Sequence, residues 1–151
     1  MMREKKRWIL LVLLTVIAVA LAACGREDSA TTRHAPAEAA APGKYATVSV
    51  QQAHDALSAD PDAIIVDVRT AQEWAQTGVP ADAVLITLDQ IQQRANELPK
   101  DQPLYIICNS GNRSQVAAQA LVELGFPSVY NVSGGIQDWL RADLPTETYT
   151  P

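Results

Sequence analysis

The residues of this sequence best suited to chemistry lie in one short segment, Cys108-Asn109-Ser110-Gly111-Asn112-Arg113-Ser114. It follows the apolar run Leu104-Tyr105-Ile106-Ile107, so Cys108 is expected at the carboxyl end of a strand, where open α/β sheets form their sites. A loop rich in Asn, Ser and Gly can turn successive backbone N–H groups inward around an anion, and the helix that follows adds a partial positive charge. With the permanent cation of Arg113 beside it, Cys108 is predicted to favour the thiolate, which is the nucleophilic form.

The elements that must position this segment can be predicted from the pattern of apolar residues. From Tyr45 onward, short apolar runs alternate with helical patterns, as is typical of an α/β domain with a mostly parallel sheet. Ser49-x-x-Gln52 and Thr70-x-x-Glu73 fit the capping box at a helix start. Strands are predicted over 46–48, 64–67, 84–86, 104–108 and 129–132, and helices over 50–58, 71–76, 89–97, 114–124 and 135–142. The prediction is therefore a central five-stranded, mostly parallel sheet with helices on both faces.

Length and composition exclude several classes of protein. The chain of 151 residues has room for one domain of ordinary size, and 48% apolar against 19% charged residues is enough for a buried core. Two cysteines cannot supply a disulfide framework. Residues 24 to 151 hold 8 basic and 16 acidic side chains without a basic stripe, so nucleic acid is not an expected partner.

The first 24 residues have the order of an export signal. Basic residues precede an apolar run from Trp8 to Ala23, and small residues precede Cys24. The run of 16 residues is shorter than the roughly 20 needed to span a bilayer. Its end, Leu21-Ala22-Ala23-Cys24, resembles the lipobox of bacterial lipoproteins, which implies cleavage before Cys24 and a lipid on its thiol. An extracytoplasmic protein anchored to a bacterial membrane is the resulting prediction; an uncleaved signal anchor is the alternative.

These features divide the chain into a signal peptide (1–23), a lipidated cysteine with a flexible tether (24–43), a domain (44–146) and a C-terminal tail (147–151). The tether contains no large apolar residue. His34 within it and His54 in the domain are the only two histidines, and neither has further ligands at metal-binding spacing. No metal site and no cofactor are predicted.

Three separated motifs resemble those of the rhodanese-homology domain, a sulfurtransferase fold, over about 100 residues from Ala46 to Pro145. The first, 67–74, is similar to the family's D-x-R-x-x-x-E-aromatic segment. The second, Cys108-x-x-Gly111-x-Arg113-Ser114, is similar to its active-site loop. The third, 134–139, is similar to its G-G-x-x-x-W element. The resemblance implies a rhodanese-like α/β fold and a sulfurtransferase whose partners are a small sulfur donor and a thiol or cyanide acceptor.

The resemblance also implies roles for the site residues. Cys108 takes sulfur from the donor as a persulfide and passes it on, while Asn109, Ser110, Gly111, Asn112, Arg113 and Ser114 bind the substrate and stabilise the charge on sulfur. Arg113 has two open roles, either binding an anionic donor or folding back on an acid to brace the loop. Asp67, Arg69 and Glu73 are interpreted as structural support, with an Arg69–Glu73 pair at the helix start and Asp67 capping loop amides.

The sequence departs from the family pattern at two places. Gly78 to Ala83 lacks the usual histidine and shifts the proline, which affects no catalytic position. Asn109 stands where the family often has Arg, so Arg113 is the only cation of the loop. Thiosulfate is a dianion, so a site with one cation in an acidic domain is expected to bind it less well than a neutral polysulfide, a persulfide or protein-borne sulfur.

Two other functions fit parts of the pattern. Cysteine phosphatases and arsenate reductases combine Cys, an N–H cradle and Arg with C-x5-R spacing, whereas Cys108 and Arg113 are one residue closer. The shorter loop predicts a cradle too tight for a tetrahedral phosphate but wide enough for one sulfur atom. The second alternative is a membrane-tethered module that binds a partner or carries sulfur without turnover. Physiological donor, acceptor and protein partner are not predicted.

Overall fold

The computed structural model describes residues 43–151. The predicted signal peptide, Cys24, His34 and all but the last residue of the predicted tether lie outside the described residues and stay predictions. None of the helices within residues 43–151 combines the length and the apolar character that a membrane span requires.

The five predicted strands form one parallel sheet, as predicted. In spatial order they are β1 (Ala46–Val48), β6 (Val129–Val132), β5 (Leu104–Ile107), β2 (Ile64–Asp67) and β4 (Val84–Leu85). All four residues of β5 and of β6 are buried, which explains their apolar character, since the inner strands of such a sheet are covered on both faces.

Helices cover both faces of the sheet. In chain order they are α1 (Val50–Ala59), α2 (Ala71–Thr77), α3 (Ile91–Arg94), α4 (Asn112–Glu123) and α5 (Gly135–Arg141). One apolar core contains residues of α3 and α4, and the other contains residues of α1 and α5. Both predicted capping boxes are present at the starts of α1 and α2, so the local hydrogen-bonding pattern alone located these two helices.

Two helix starts differ from the prediction. The third helix, predicted over 89–97, begins at Ile91, because the residues before it form tight turns in which the Gln90 amide donates to the Thr87 carbonyl. It continues as a 3-10 turn over Ala95–Glu97. The fourth, predicted from Ser114, begins two residues earlier at Asn112, because Gly111 takes the left-handed φ of 97° that turns the chain into the helix. This difference places Arg113 and Ser114 in the first turn of α4.

A second sheet of two short strands lies outside the predicted elements. Strands β3 (Val79–Pro80) and β7 (Thr146–Glu147) pair in antiparallel fashion. The Tyr149 ring then packs on Trp74 of α2 with ring centres 5.4 Å apart. Each strand has only two residues: β3 contains a proline, and both residues of β7 are exposed. Such short strands have no alternating apolar pattern from which they could be predicted.

Candidate active site

Cys108 lies at the carboxyl end of β5, between the ends of its neighbours β2 and β6. It is 1% exposed. The chain from Asn109 to Gly111 then turns around the sulfur and enters α4. Gly111 is buried and Asn109 half-buried, while Ser110 and Asn112 form the exposed outer rim of the loop.

Hydrogen bonds from the start of α5 hold the loop in a conformation in which the N–H groups of the loop face Cys108 Sγ. The Ile136 amide donates to the Cys108 carbonyl at 2.8 Å, and the Gln137 amide donates to the Asn109 carbonyl at 3.3 Å. With these carbonyls held away, the Gly111 amide donates to Cys108 Sγ at 3.2 Å. Together with the amides of Ser110 and Ser114, which also donate to the sulfur, this forms a nest of N–H groups suited to an anion.

The balance of two opposing effects lowers the pKa of Cys108. Burial raises the pKa of the thiol, since it disfavours the charged form. Hydrogen bonds to the sulfur outweigh burial and bring the net pKa of Cys108 below its ordinary value; the donors are the Ser114 hydroxyl and the amides of Ser114, Ser110 and Gly111. The thiolate fraction is thereby increased, which is the condition for nucleophilic chemistry.

Ser114 connects the sulfur to a buried side chain that the sequence analysis missed. Its Oγ lies 3.4 Å from Cys108 Sγ and 2.7 Å from Oδ1 of Asn131, and both Ser114 and Asn131 are fully buried. Asn131 is the polar member of the strand Val-Tyr-Asn-Val. A polar amide inside an otherwise buried strand was the available signal, because such a group needs partners.

The guanidinium of Arg113 contacts an acid, which decides between its two open roles. Its two terminal nitrogens donate to the Glu73 carboxylate at 2.6 and 2.8 Å, which is a bidentate pair between α4 and α2. Arg113 thus braces the loop in this structure. The hydrogen bonds from Arg113, together with those from Thr70, lower the pKa of Glu73 to about 2 against the opposing effect of burial.

The predicted Arg69–Glu73 pair is wrong. Arg69 instead makes a bidentate pair with Asp67, with Nη2 2.6 Å from Oδ2 and Nε 3.0 Å from Oδ1, and it also donates to the Gly78 carbonyl at 2.7 Å. Asp67 Oδ1 accepts the Arg69 amide at 3.0 Å as well. Spacing along a helix indicated the wrong partner because Arg69 precedes the helix and turns inward, leaving Glu73 free to face Arg113.

We expect the Glu73→Gln variant to lose stability near neutral pH and to match the wild type near pH 2. A carboxyl whose pKa is lowered by folding stabilises the fold fully above its unfolded value, here 4.5, and loses that contribution as the pH falls to about 2. Free energies of unfolding by denaturant at several pH values measure the difference. Glu123→Gln is the matched control, because that carboxylate accepts from the neutral Gln119 amide. A difference that stays constant down to pH 2 would contradict the prediction.

The site combines a buried thiol with an anion cradle made of backbone amides. Over residues 43–151, no group of three or more His, Cys, Asp or Glu side chains is placed to hold a metal ion. The one cation that the loop carries is engaged by Glu73. The geometry therefore supports nucleophilic chemistry by a thiolate whose product charge is held by N–H donors.

Comparisons with known proteins agree with this geometry. The family model described as "Rhodanese-like domain" matches residues 49–142. The putative sulfur carrier protein YrkF of Bacillus subtilis is 37% identical over 61% of this chain, and the match covers 49% of that protein. The thiosulfate sulfurtransferase GlpE of Actinobacillus pleuropneumoniae is 34% identical over 69% of this chain and 94% of that protein.

A solved structure shows the same architecture. The polysulfide-sulfur transferase homodimer of Wolinella succinogenes superimposes with a TM-score of 0.62 at 25% identity, over 70% of this chain and 80% of that one.

Proposed function

This chain belongs to the family of rhodanese-like domains, and on that premise we propose that it is a sulfurtransferase in which Cys108 carries the transferred sulfur as a persulfide. One observation carries the proposal. The only thiol among the described residues lies inside a loop whose amide N–H groups face it. Relatives named as a sulfurtransferase and as a sulfur carrier support the same class of chemistry.

The proposed reaction is a double displacement. The Cys108 thiolate attacks the outer sulfur of the donor, and the sulfur–sulfur bond of the donor breaks with its electron pair leaving on the remainder, which is sulfite when the donor is thiosulfate. The anionic outer sulfur of the persulfide accepts from the loop amides. An acceptor thiolate or cyanide then attacks that outer sulfur, and the bond electrons return to Cys108 as thiolate. No proton transfer is required when the attacking groups are already ionised.

Charge around the loop leads us to propose a persulfide or an organic polysulfide as the preferred donor. The Arg113 guanidinium is held by Glu73, so the loop has no net charge to attract a dianion. Thiosulfate brings two negative charges next to the sulfur that is transferred, whereas an organic persulfide or polysulfide brings fewer. The likeness to a polysulfide-sulfur transferase supports this preference.

The intact mass of the full chain before and after incubation with thiosulfate or with a polysulfide tests the function. A gain of about 32 Da that a thiol or cyanide removes, and that Cys108→Ser lacks, is the expected result. Loading by neither donor would refute the sulfurtransferase proposal. Loading without turnover of an acceptor would favour the sulfur-carrier alternative, and phosphate-ester hydrolysis lost in Cys108→Ser would favour a phosphatase.

We expect Asn109→Arg to raise kcat/KM for thiosulfate about tenfold, with less effect on an organic persulfide, because a second cation next to the cradle attracts the dianion. Steady-state rates with both donors measure the ratio. Gln119→Arg adds the same charge on an exposed position of α4 outside the loop, so it is the control for net charge. Equal gains from the two variants would contradict a local effect at position 109.

We also propose that this domain is exported and held at a membrane surface by acyl chains on Cys24. Its support is the order of the first 24 residues, with basic side chains, an apolar run and small residues before the cysteine. The proposal concerns location only, since the chemistry above depends on the domain alone.

A further inference from the structure

Behind Cys108, two fully buried polar side chains connect the sulfur to the next strand. Ser114 lies in the first turn of α4 and Asn131 lies on β6, and each has 0% exposure. Asn131 is paired in register with Thr47 of β1, so the two side chains lie on the same face, with Asn131 Nδ2 3.4 Å from Thr47 Oγ1. The three form a row of hydrogen-bonding groups that ends at the sulfur.

The Ser114 hydroxyl has a single hydrogen and two acceptors within reach. Asn131 Oδ1 lies at 2.7 Å and Cys108 Sγ at 3.4 Å. One O–H can make one well-aligned hydrogen bond, so the hydrogen that goes to the amide oxygen is withheld from the sulfur. The pKa of Cys108 is lowered by the Ser114 hydroxyl only to the extent that this hydrogen faces the sulfur.

A half-turn of the Asn131 amide reverses this choice. Rotation about its Cβ–Cγ bond exchanges Oδ1 and Nδ2, and the amide then donates to Ser114 Oγ while its oxygen accepts from the Thr47 hydroxyl. The Ser114 hydrogen is released to Cys108 Sγ. Both orientations give the buried Ser114 and Asn131 side chains hydrogen-bond partners, as buried polar groups require, while Thr47 at the end of the row is exposed.

We propose that Asn131 is a positioning residue whose amide orientation sets the direction of the Ser114 hydroxyl, outward to Asn131 when Cys108 is a thiol and inward to the sulfur when it is a thiolate. The thiol is itself a donor and can donate to Ser114 Oγ, whereas the thiolate only accepts. When the thiol loses its proton to water, the row reverses. The relevance of this reversal to catalysis rests on the proposed function, but the reversal itself does not.

Three charged groups on the elements around the loop are held in ion pairs. Arg113 of α4 is held by Glu73 of α2, Asp67 of β2 by Arg69, and Asp138 of α5 by Arg141. None of these charged groups is among the causes that shift the pKa of Cys108, which are burial and hydrogen bonds from Ser114, Ser110 and Gly111. The row formed by Ser114, Asn131 and Thr47 carries no charge, and its hydrogen bonds can rearrange when Cys108 becomes a thiolate.

Nitrogen-15 NMR of the full chain tests the reversal. The side-chain amide signal of Asn131, assigned by its loss in Asn131→Leu, is followed against pH. The pKa of Cys108 is measured separately from the rate of iodoacetamide alkylation at the peptide that contains it. We expect the Asn131 signal to move with the same midpoint as alkylation in the wild type, and to stay in place in Ser114→Ala.

Variants on the same elements separate this effect from others. Ser114→Thr keeps the hydroxyl and should keep the response, while Ser114→Ala should raise the pKa of Cys108 and slow its alkylation at neutral pH about tenfold, because a donor to the thiolate is lost. Tyr130→Phe removes a hydroxyl from the same strand on its opposite face and should change neither readout. An Asn131 signal that does not titrate, or that titrates equally in Ser114→Ala, would overturn the proposal. Neither measurement requires sulfur transfer, so failure of the proposed function would be seen independently in the loading experiment.

Discussion

Replacing Gly135 by Ala is expected to slow persulfide formation at Cys108 by at least about a hundredfold. A Cβ at this position would lie 2.4 Å from the Cys108 carbonyl oxygen and 2.5 Å from the Asn109 carbonyl carbon. Both are backbone atoms, so the contact can be relieved only by moving the loop away from α5. Displacement of a nucleophile by about 1 Å can cost a factor of 10² in rate, and the N–H donors would move with it.

The measurement is the rate of mass gain with a persulfide donor, together with the free energy of unfolding. Gly125→Ala is the matched control. Gly125 also has a left-handed φ, 87° against 59° for Gly135, but its Cβ would come no closer than 3.8 Å to a neighbouring atom. Both variants therefore carry the strain of an alanine at a left-handed φ, but only Gly135→Ala displaces the loop that contains Cys108. Equal loading rates in the two variants would show that contact with Gly135 does not position the loop.

Replacing Asp67 by Ala is expected to cost about 3–5 kcal/mol of the free energy of unfolding, because the change leaves the Arg69 guanidinium as an uncompensated buried charge. Asp67 and Arg69 are 0% and 1% exposed and make a bidentate contact. Folded domains of this size have only about 5–15 kcal/mol of stability, so the variant should be close to its unfolding threshold at ordinary temperature.

Denaturant unfolding of Asp67→Ala and of Glu97→Ala checks this expectation. Glu97 also pairs with an arginine, Arg94, but both side chains are substantially exposed, so removing that pair should change the free energy of unfolding far less. If the two variants lost similar amounts of unfolding free energy, burial of the Asp67–Arg69 pair would not be the reason for its stabilising effect. Retained stability with lost sulfur loading in Asp67→Ala would instead assign Asp67 a direct role in chemistry.

The sequence alone predicted the parallel sheet, both capping boxes and the loop after β5. These features depend on neighbours within a few positions. Ser49 and Gln52 satisfy each other's backbone, and continuous apolar runs identify strands covered on both faces. The sequence also showed that Asn109 replaces the arginine often found in the family motif, because comparison of one position with the motif is enough to see it.

Tertiary structure decided which charges and hydrogen bonds meet at the site. Glu73 and Arg113 are 40 positions apart, and Ser114 and Asn131 are 17 apart. Local spacing favoured the incorrect pair of Arg69 with Glu73, because a residue near the start of a helix can turn either along the helix or into the sheet. The sequence therefore predicted Cys108 as the nucleophile from local residues alone. The partners that orient its loop and its hydrogen-bond donors were determined by which elements pack together around β5.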